Sequence, residues 1–212
     1  NISKAKALAA KATKGRPDQR VATKGGSEPP AAGKAKLRYV GYVELGEQVE
    51  LFEGRARVRD KVQLTFELVN RKKHPPIELE DGTKVPRRLK IELTNSLSER
   101  ATLFQLRRQM DPDDTKSHIA QMVEDGFLGK VYHHTFTAQG REVTVARLKA
   151  KGGNYTIEPP FEEDEEGEVT EVSIPEAMSE TLLFFWDSPT LEMWDSLYIE
   201  GEYEKGRSRN VI

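Results

Sequence analysis

Not one of the 212 residues is a cysteine. Disulfide frameworks and thiolate metal centres are thereby excluded, and the absence fits a reducing compartment such as a cytoplasm. Nowhere do about 18 apolar residues run together, the length a membrane-crossing helix needs. A Gly-rich phosphate loop, a GxSxG nucleophile elbow and an HExxH zinc pair are also missing, so nothing in the chain argues for catalysis or a cofactor. Net charge is only −2, and the average hides any preference for a charged partner. The chain opens on Asn1 and its start lacks the apolar core of a secretory signal, so a longer natural chain is expected.

What is present is segregated charge. From Asn1 to Arg38 ten Lys/Arg face two acids, a local surplus of eight, whereas seven of the ten residues from Glu162 to Glu171 are acidic. Residues 1–36 are rich in Ala, Lys, Gly and Pro and cannot offset their ordering entropy by burial. They read as a basic arm, with SKAKALAAKATKG as a marginal helix capped by Ser3 and stopped at Gly15. The folded domain is expected over 37–212.

Apolar periodicity in that domain is mostly of period two. LRYVGYVEL puts Leu37, Tyr39, Gly41 and Val43 on one side, Arg38 and Tyr42 on the other. RVRDKVQLTFELV and RRLKIEL alternate in the same way, predicting a three-stranded antiparallel meander. SERATLFQLRRQM and DPDDTKSHIAQMVEDGFLG then read as helices, the first capped by Ser98. GKVYHHTFTAQGREVTVARLKAK returns as a hairpin turning at Ala138–Arg141. FEEDEEGEVTE reads as a loop, AMSETLLFFW as a short helix after a SIPE capping box, SPTLEMWDSL as one more helical turn, and LYIEGEYE as a closing strand. The pattern is mainly β with helical insertions and matches an OB-like Greek-key barrel of about five strands.

Two cationic groups stand out. Arg71, Lys72 and Lys73 end one strand, and Arg87, Arg88 and Lys90 begin the next, so a hairpin draws them together. Converged cations repel unless an anion such as a polyphosphate offsets them, although a Lys-rich strand edge also blocks aggregation. Arg147, Lys149 and Lys151 share one face of the later hairpin, near Tyr155. Rings beside cations suit single-stranded nucleic acid, because bases stack on rings while phosphates meet Lys/Arg. Tyr39, Tyr42, Tyr132 and Tyr155 are the candidate stacking rings, Tyr42 foremost because it shares the outward side with Arg38 and Phe136 a weaker one, and Arg57 and Arg59 complete the cationic set. His133 and His134 are adjacent on a strand and point to opposite faces, which disfavours a shared metal. Asp187, Glu192 and Asp195 are close enough in sequence to raise a Mg²⁺ nuclease, but they alternate with Phe184, Phe185, Trp186, Met193 and Trp194 and read as acids around core anchors. The acidic block either competes for the basic groove, recruits a basic partner or simply solvates a loop.

MWDSLYIEGEYEKGRSRNVI, and RRLKIELTNSLSERATLFQL followed by an acid-started helix, resemble single-stranded DNA-binding proteins of tailed bacteriophages. The resemblance spans roughly 36–212. It implies an OB fold that coats unwound DNA in the host cytoplasm during replication, recombination and repair, without catalysis, metal or cofactor. Polymerase or helicase partners would be reached through an acidic segment. That family commonly carries an acidic C-terminal tail; this sequence closes on Asn210-Val211-Ile212, leaving the role to a removed tail or to block 162–171. A different class stays open: an oligomerising phage assembly protein that pairs its basic arm with the acidic loop of the next copy.

Overall fold

The structure is a computed structural model that describes residues 28–79, 82–138, 140–197, 202–203 and 207–208. The expected N-terminal helix lies outside the described residues. Folded structure begins earlier than expected: β1 starts at Gly33, and Ala35 is already buried.

Strands β1 (Gly33–Phe52) and β2 (Arg55–Leu68) form a long antiparallel hairpin that turns on Glu53 and Gly54, both at positive φ. A two-residue pair, β3 (Ile77–Glu78) and β4 (Lys84–Val85), fills the connection to β5 (Arg88–Thr94), which pairs with β2. Helix α1 (Thr102–Met110) and a 3-10 turn (Ile119–Met122) lead to β6 (Gly126–Ala138), which pairs with the other edge of β1 and with β7 (Arg141–Arg147). The main sheet therefore runs β5-β2-β1-β6-β7. Later come β8 (Ile157–Glu158) on β6, the hairpin of β9 (Phe161–Glu163) and β10 (Val169–Glu171), β11 (Leu182–Phe184) parallel to β1, and α2 (Leu191–Leu197). The described part of the expected closing strand, β12 (Glu202–Tyr203), pairs with β13 (Arg207–Ser208) and not with the main sheet.

One face of this curved sheet holds the core. Val62, Leu64, Phe66 and Leu68 of β2 pack with Leu37, Tyr39 and Tyr42 of β1, with Ile91 and Leu93 of β5, and with Leu103, Leu106 and Met110 of α1. Each such burial contributes roughly 1.5–3 kcal/mol. The expected long second helix is absent for a local reason. The Asp111 carboxylate accepts from the backbone N–H of Lys116 at 2.7 Å and of Thr115 at 3.1 Å. These bonds compete with helical ones and leave only the 3-10 turn. They also hold the Asp111 carboxyl below the usual carboxylate range, the Lys116 N–H being the main cause.

The opposite face of β1 and β2 is covered by the chain from about residue 172 to 181. Here the expected AMSETLLFFW helix gives way to extended backbone, because side chains of the sheet hold its peptide groups. Arg38 donates to the carbonyls of Ile174 and Pro175, Lys36 to Ser173 O and Arg71 to Glu176 O. The Glu67 carboxylate accepts from Met178 N and Ser179 N at 2.8–3.0 Å. Gln63, Thr65 and Glu67 are consequently as buried as the core face. The acidic stretch is likewise no open loop: Asp164 accepts from Glu166 N and Glu168 N and turns it into the β9–β10 hairpin.

Gly126 makes the cover fit, since a Cβ there would lie 2.7 Å from Ile174 Cβ. Gly126→Ala should cost about 1–3 kcal/mol by overpacking. Urea unfolding checks this, and an unchanged midpoint would mean the segment does not press on β6.

Candidate nucleic-acid interface

Strand β6 runs antiparallel to β1 from Gly126 opposite Arg38 to Val131 opposite Gly33, then continues past the start of β1 as a hairpin with β7. Val131 is in the core, so the alternate positions Lys130, Tyr132, His134 and Phe136 face outward. Across the hairpin Tyr132 is in register with Arg147, His134 with Val145 and Phe136 with Val143. Beyond β7, Leu148 turns into the core and Lys149 bridges to Tyr155.

Rings and cations interleave on this surface. The Lys130 ammonium lies 5.4 Å from the Tyr132 ring centroid and that of Lys149 5.9 Å from Tyr155. The Tyr132 hydroxyl is 3.2 Å from Thr156 Oγ1, whereas the neighbouring Tyr155, two residues before buried Ile157, packs against the core. His134 and Phe136 stack at 5.9 Å, and Phe136 is 40% exposed. Tyr132 and Tyr155 are both half-buried. Burial raises the Tyr155 pKa, and nearby Arg147 partly opposes it.

The edges of β5 and β7 face each other across a cleft of about 420 Å³, with Arg88, Leu89 and Lys90 on one wall and Thr144, Val145 and Ala146 on the other. The pKa of Lys90 is held below the usual lysine range, first by desolvation along this wall and next by Arg88. Residues 28–31 close one end. Arg87 donates to Glu28 O at 2.7 Å, the His133 ring N–H to Pro30 O at 2.8 Å and the His74 ring N–H to Ala31 O at 3.0 Å. Burial lowers the His74 pKa.

The nominated residues divide into groups. Tyr132 pairs with Arg147 and Lys149 with Tyr155, and exposed Lys151 is on the adjoining turn. Arg88 and Lys90 line the cleft beside them, and Lys72 is exposed at the turn after β2. Lys73 is a correction, since its ammonium donates to Lys34 O at 2.7 Å and serves the turn. Arg71 and Arg87 are similarly committed to carbonyls. Arg57 and Arg59 sit on the far part of the β1–β2 hairpin, at the opposite end of β1 from the β6–β7 tip.

Tyr42 is the clearest correction. Strict alternation put it beside Arg38, but the register slips between Tyr39 and Gly41. The bulge turns both Tyr39 and Tyr42 onto the core face, and Tyr42 is 0% exposed with its hydroxyl 3.2 Å from Glu44. A buried ring cannot receive a base. Lys130 and His134 were not nominated, although their even spacing with Tyr132 marks them. Trp186 and Trp194, read as core anchors, are half-exposed, whereas Phe184 beside them is buried.

Among the described residues no group of three or more His, Asp or Glu is placed to hold a metal ion, so Asp187, Glu192 and Asp195 do not form one. No helix among them is long and apolar enough to cross a membrane. No protein-family model, curated protein or solved structure matches the chain.

Proposed function

We propose that this protein binds single-stranded DNA without sequence preference and without catalysis, coating it during phage replication, recombination and repair in the host cytoplasm. The observation that carries the reading is one open strand face on which Tyr132 and Phe136 lie with Lys130 and Arg147, with the Lys149–Tyr155 pair at its border. Rings of this kind stack bases of any identity, and the cations track the backbone. Arg88 and Lys90 extend the positive surface along the cleft. The connectivity supports an OB-like barrel: three meandering strands, a helix, then a hairpin that brings β7 toward β5, the two strands whose pairing would close it. The exposed β9–β10 hairpin is the acidic element offered to replication partners, and Glu162 at its base is 3.1 Å from the Lys34 ammonium.

Fluorescence polarisation of a labelled oligo(dT) across a salt series tests this. Six cations (Arg88, Lys90, Lys130, Arg147, Lys149 and Lys151) on phosphates give a log–log salt slope of about −4, from −0.7 per contact on a single strand. Duplex of the same length should bind more weakly, because its bases are already stacked. A flat salt response, or equal affinity for duplex, rejects the proposal.

A further inference from the structure

The chain has only two tryptophans, and the interface above uses neither. Trp186 follows β11 and Trp194 lies in α2, 44% and 45% exposed, with ring centroids 6.2 Å apart. Buried Phe184 supports both from below, at 5.1 Å from Trp186 and 4.7 Å from Trp194. The indoles are thus held firmly on one side and left open on the other.

Their position relative to the β1–β2 hairpin gives them a partner in chemistry. A Cβ on Gly46 would meet Trp186 Nε1 at 3.1 Å, so the indole lies over that glycine, whose φ is +68°. Gly46 is in register with Lys61, Gln48 with Arg59 and Glu50 with Arg57, and Arg55 follows two residues before Arg57. Side chains alternate along a strand. Lys61, Arg59, Arg57 and Arg55 therefore occupy the same ribbon face as Trp186, leading away from it toward the tip. Glu50 is the one acid among these positions, and its carboxylate is taken by the Lys61 ammonium.

We infer that the tryptophan pair and the arginine face together form a second contact surface for single-stranded nucleic acid. Bases stack on Trp186 and Trp194, and the backbone runs along Arg59 and Arg55. The inference rests on the single-strand reading above but concerns a different surface, at the opposite end of β1 from Tyr132 and Tyr155. It is built by β11 and α2, which follow the five principal strands. Asp187, Glu192 and Asp195 lie near the indoles in sequence and would suit a cationic polypeptide instead. The arginines on the tryptophan face decide for the polyanion.

Since no other indole exists, intrinsic tryptophan emission of the full chain reports this surface alone. It is followed together with the anisotropy of a labelled oligo(dT) about twice as long as the roughly 16-nucleotide upper footprint of one OB fold. The expected result is quenching that saturates with the anisotropy. In Arg55→Ala/Arg59→Ala, whose changes are on exposed ribbon positions, affinity should fall about tenfold and quenching should require correspondingly more oligonucleotide. Tyr132→Ala/Tyr155→Ala should still quench at saturating oligonucleotide. Anisotropy that rises without any change in tryptophan emission overturns the inference and leaves the Tyr132–Tyr155 interface standing. Absence of binding by anisotropy overturns both. Quenching by a peptide of residues 1–24 but not by oligo(dT) assigns the surface to a basic polypeptide and also overturns it.

Discussion

Tyr132→Ala/Tyr155→Ala should weaken oligo(dT) binding by roughly 4 kcal/mol, about a thousandfold, at about 2 kcal/mol for each stacked base lost. Stability should fall by less than for a fully enclosed ring, because both are half-buried, and most of the loss should come from Tyr155, which packs against the core. Tyr42→Ala makes the informative contrast. Its ring is wholly enclosed among Phe185, His118 and the core, and its loss should cost about 3–5 kcal/mol of folding free energy. The affinity of the folded Tyr42→Ala fraction should stay the same. Polarisation titrations alongside urea unfolding separate the two effects. If the surface pair destabilises while binding persists, the rings are packing residues and the interface lies elsewhere.

Glu67→Ala should damage the fold about as much as Tyr42→Ala. Its carboxylate is buried between Arg38 and Arg88 in register and accepts from two backbone N–H groups of the covering segment. Truncation leaves those part-buried donors without their acceptor and removes a buried charge that Arg38 and Arg88 flank, at a cost of about 3–5 kcal/mol. Glu67→Gln keeps one oxygen as acceptor and should lose roughly half as much. Guanidinium unfolding measures both variants, and an Ala variant as stable as the parent would show that the segment lifts away without strain.

The difference between Tyr42 and Tyr132 shows what was legible in the residue order. Period-two patterning marked β2, β5 and the β6–β7 hairpin correctly, because Val62, Leu64, Phe66 and Leu68 keep strict alternation against the core. It failed at β1, where a bulge reverses parity and leaves no compositional trace beyond Gly41. Helices were over-read in 111–126 and 177–186. In both places partners remote from the local pattern capture the backbone: the Asp111 carboxylate in one, Arg38, Arg71 and Glu67 in the other. Those same bonds explain why cations that looked available are not. A charge count cannot tell a lysine facing solvent from Lys73 closing on a carbonyl. The connection from β2 to β5 brings Lys73 and Arg87 both close to His74, yet Arg71, Lys73 and Arg87 bond carbonyls, and the Arg71–Lys73 group does not line the cleft.

The bond from Arg38 to the Ile174 carbonyl joins groups 136 residues apart. A ribosome adding about 5–20 residues per second needs on the order of ten seconds to cover that span. Throughout that interval the nascent β1–β2 hairpin has its second face uncovered, with Glu67 and its neighbours in water. A chaperone that shields this face during synthesis should therefore raise the yield of active protein more than one supplied after release.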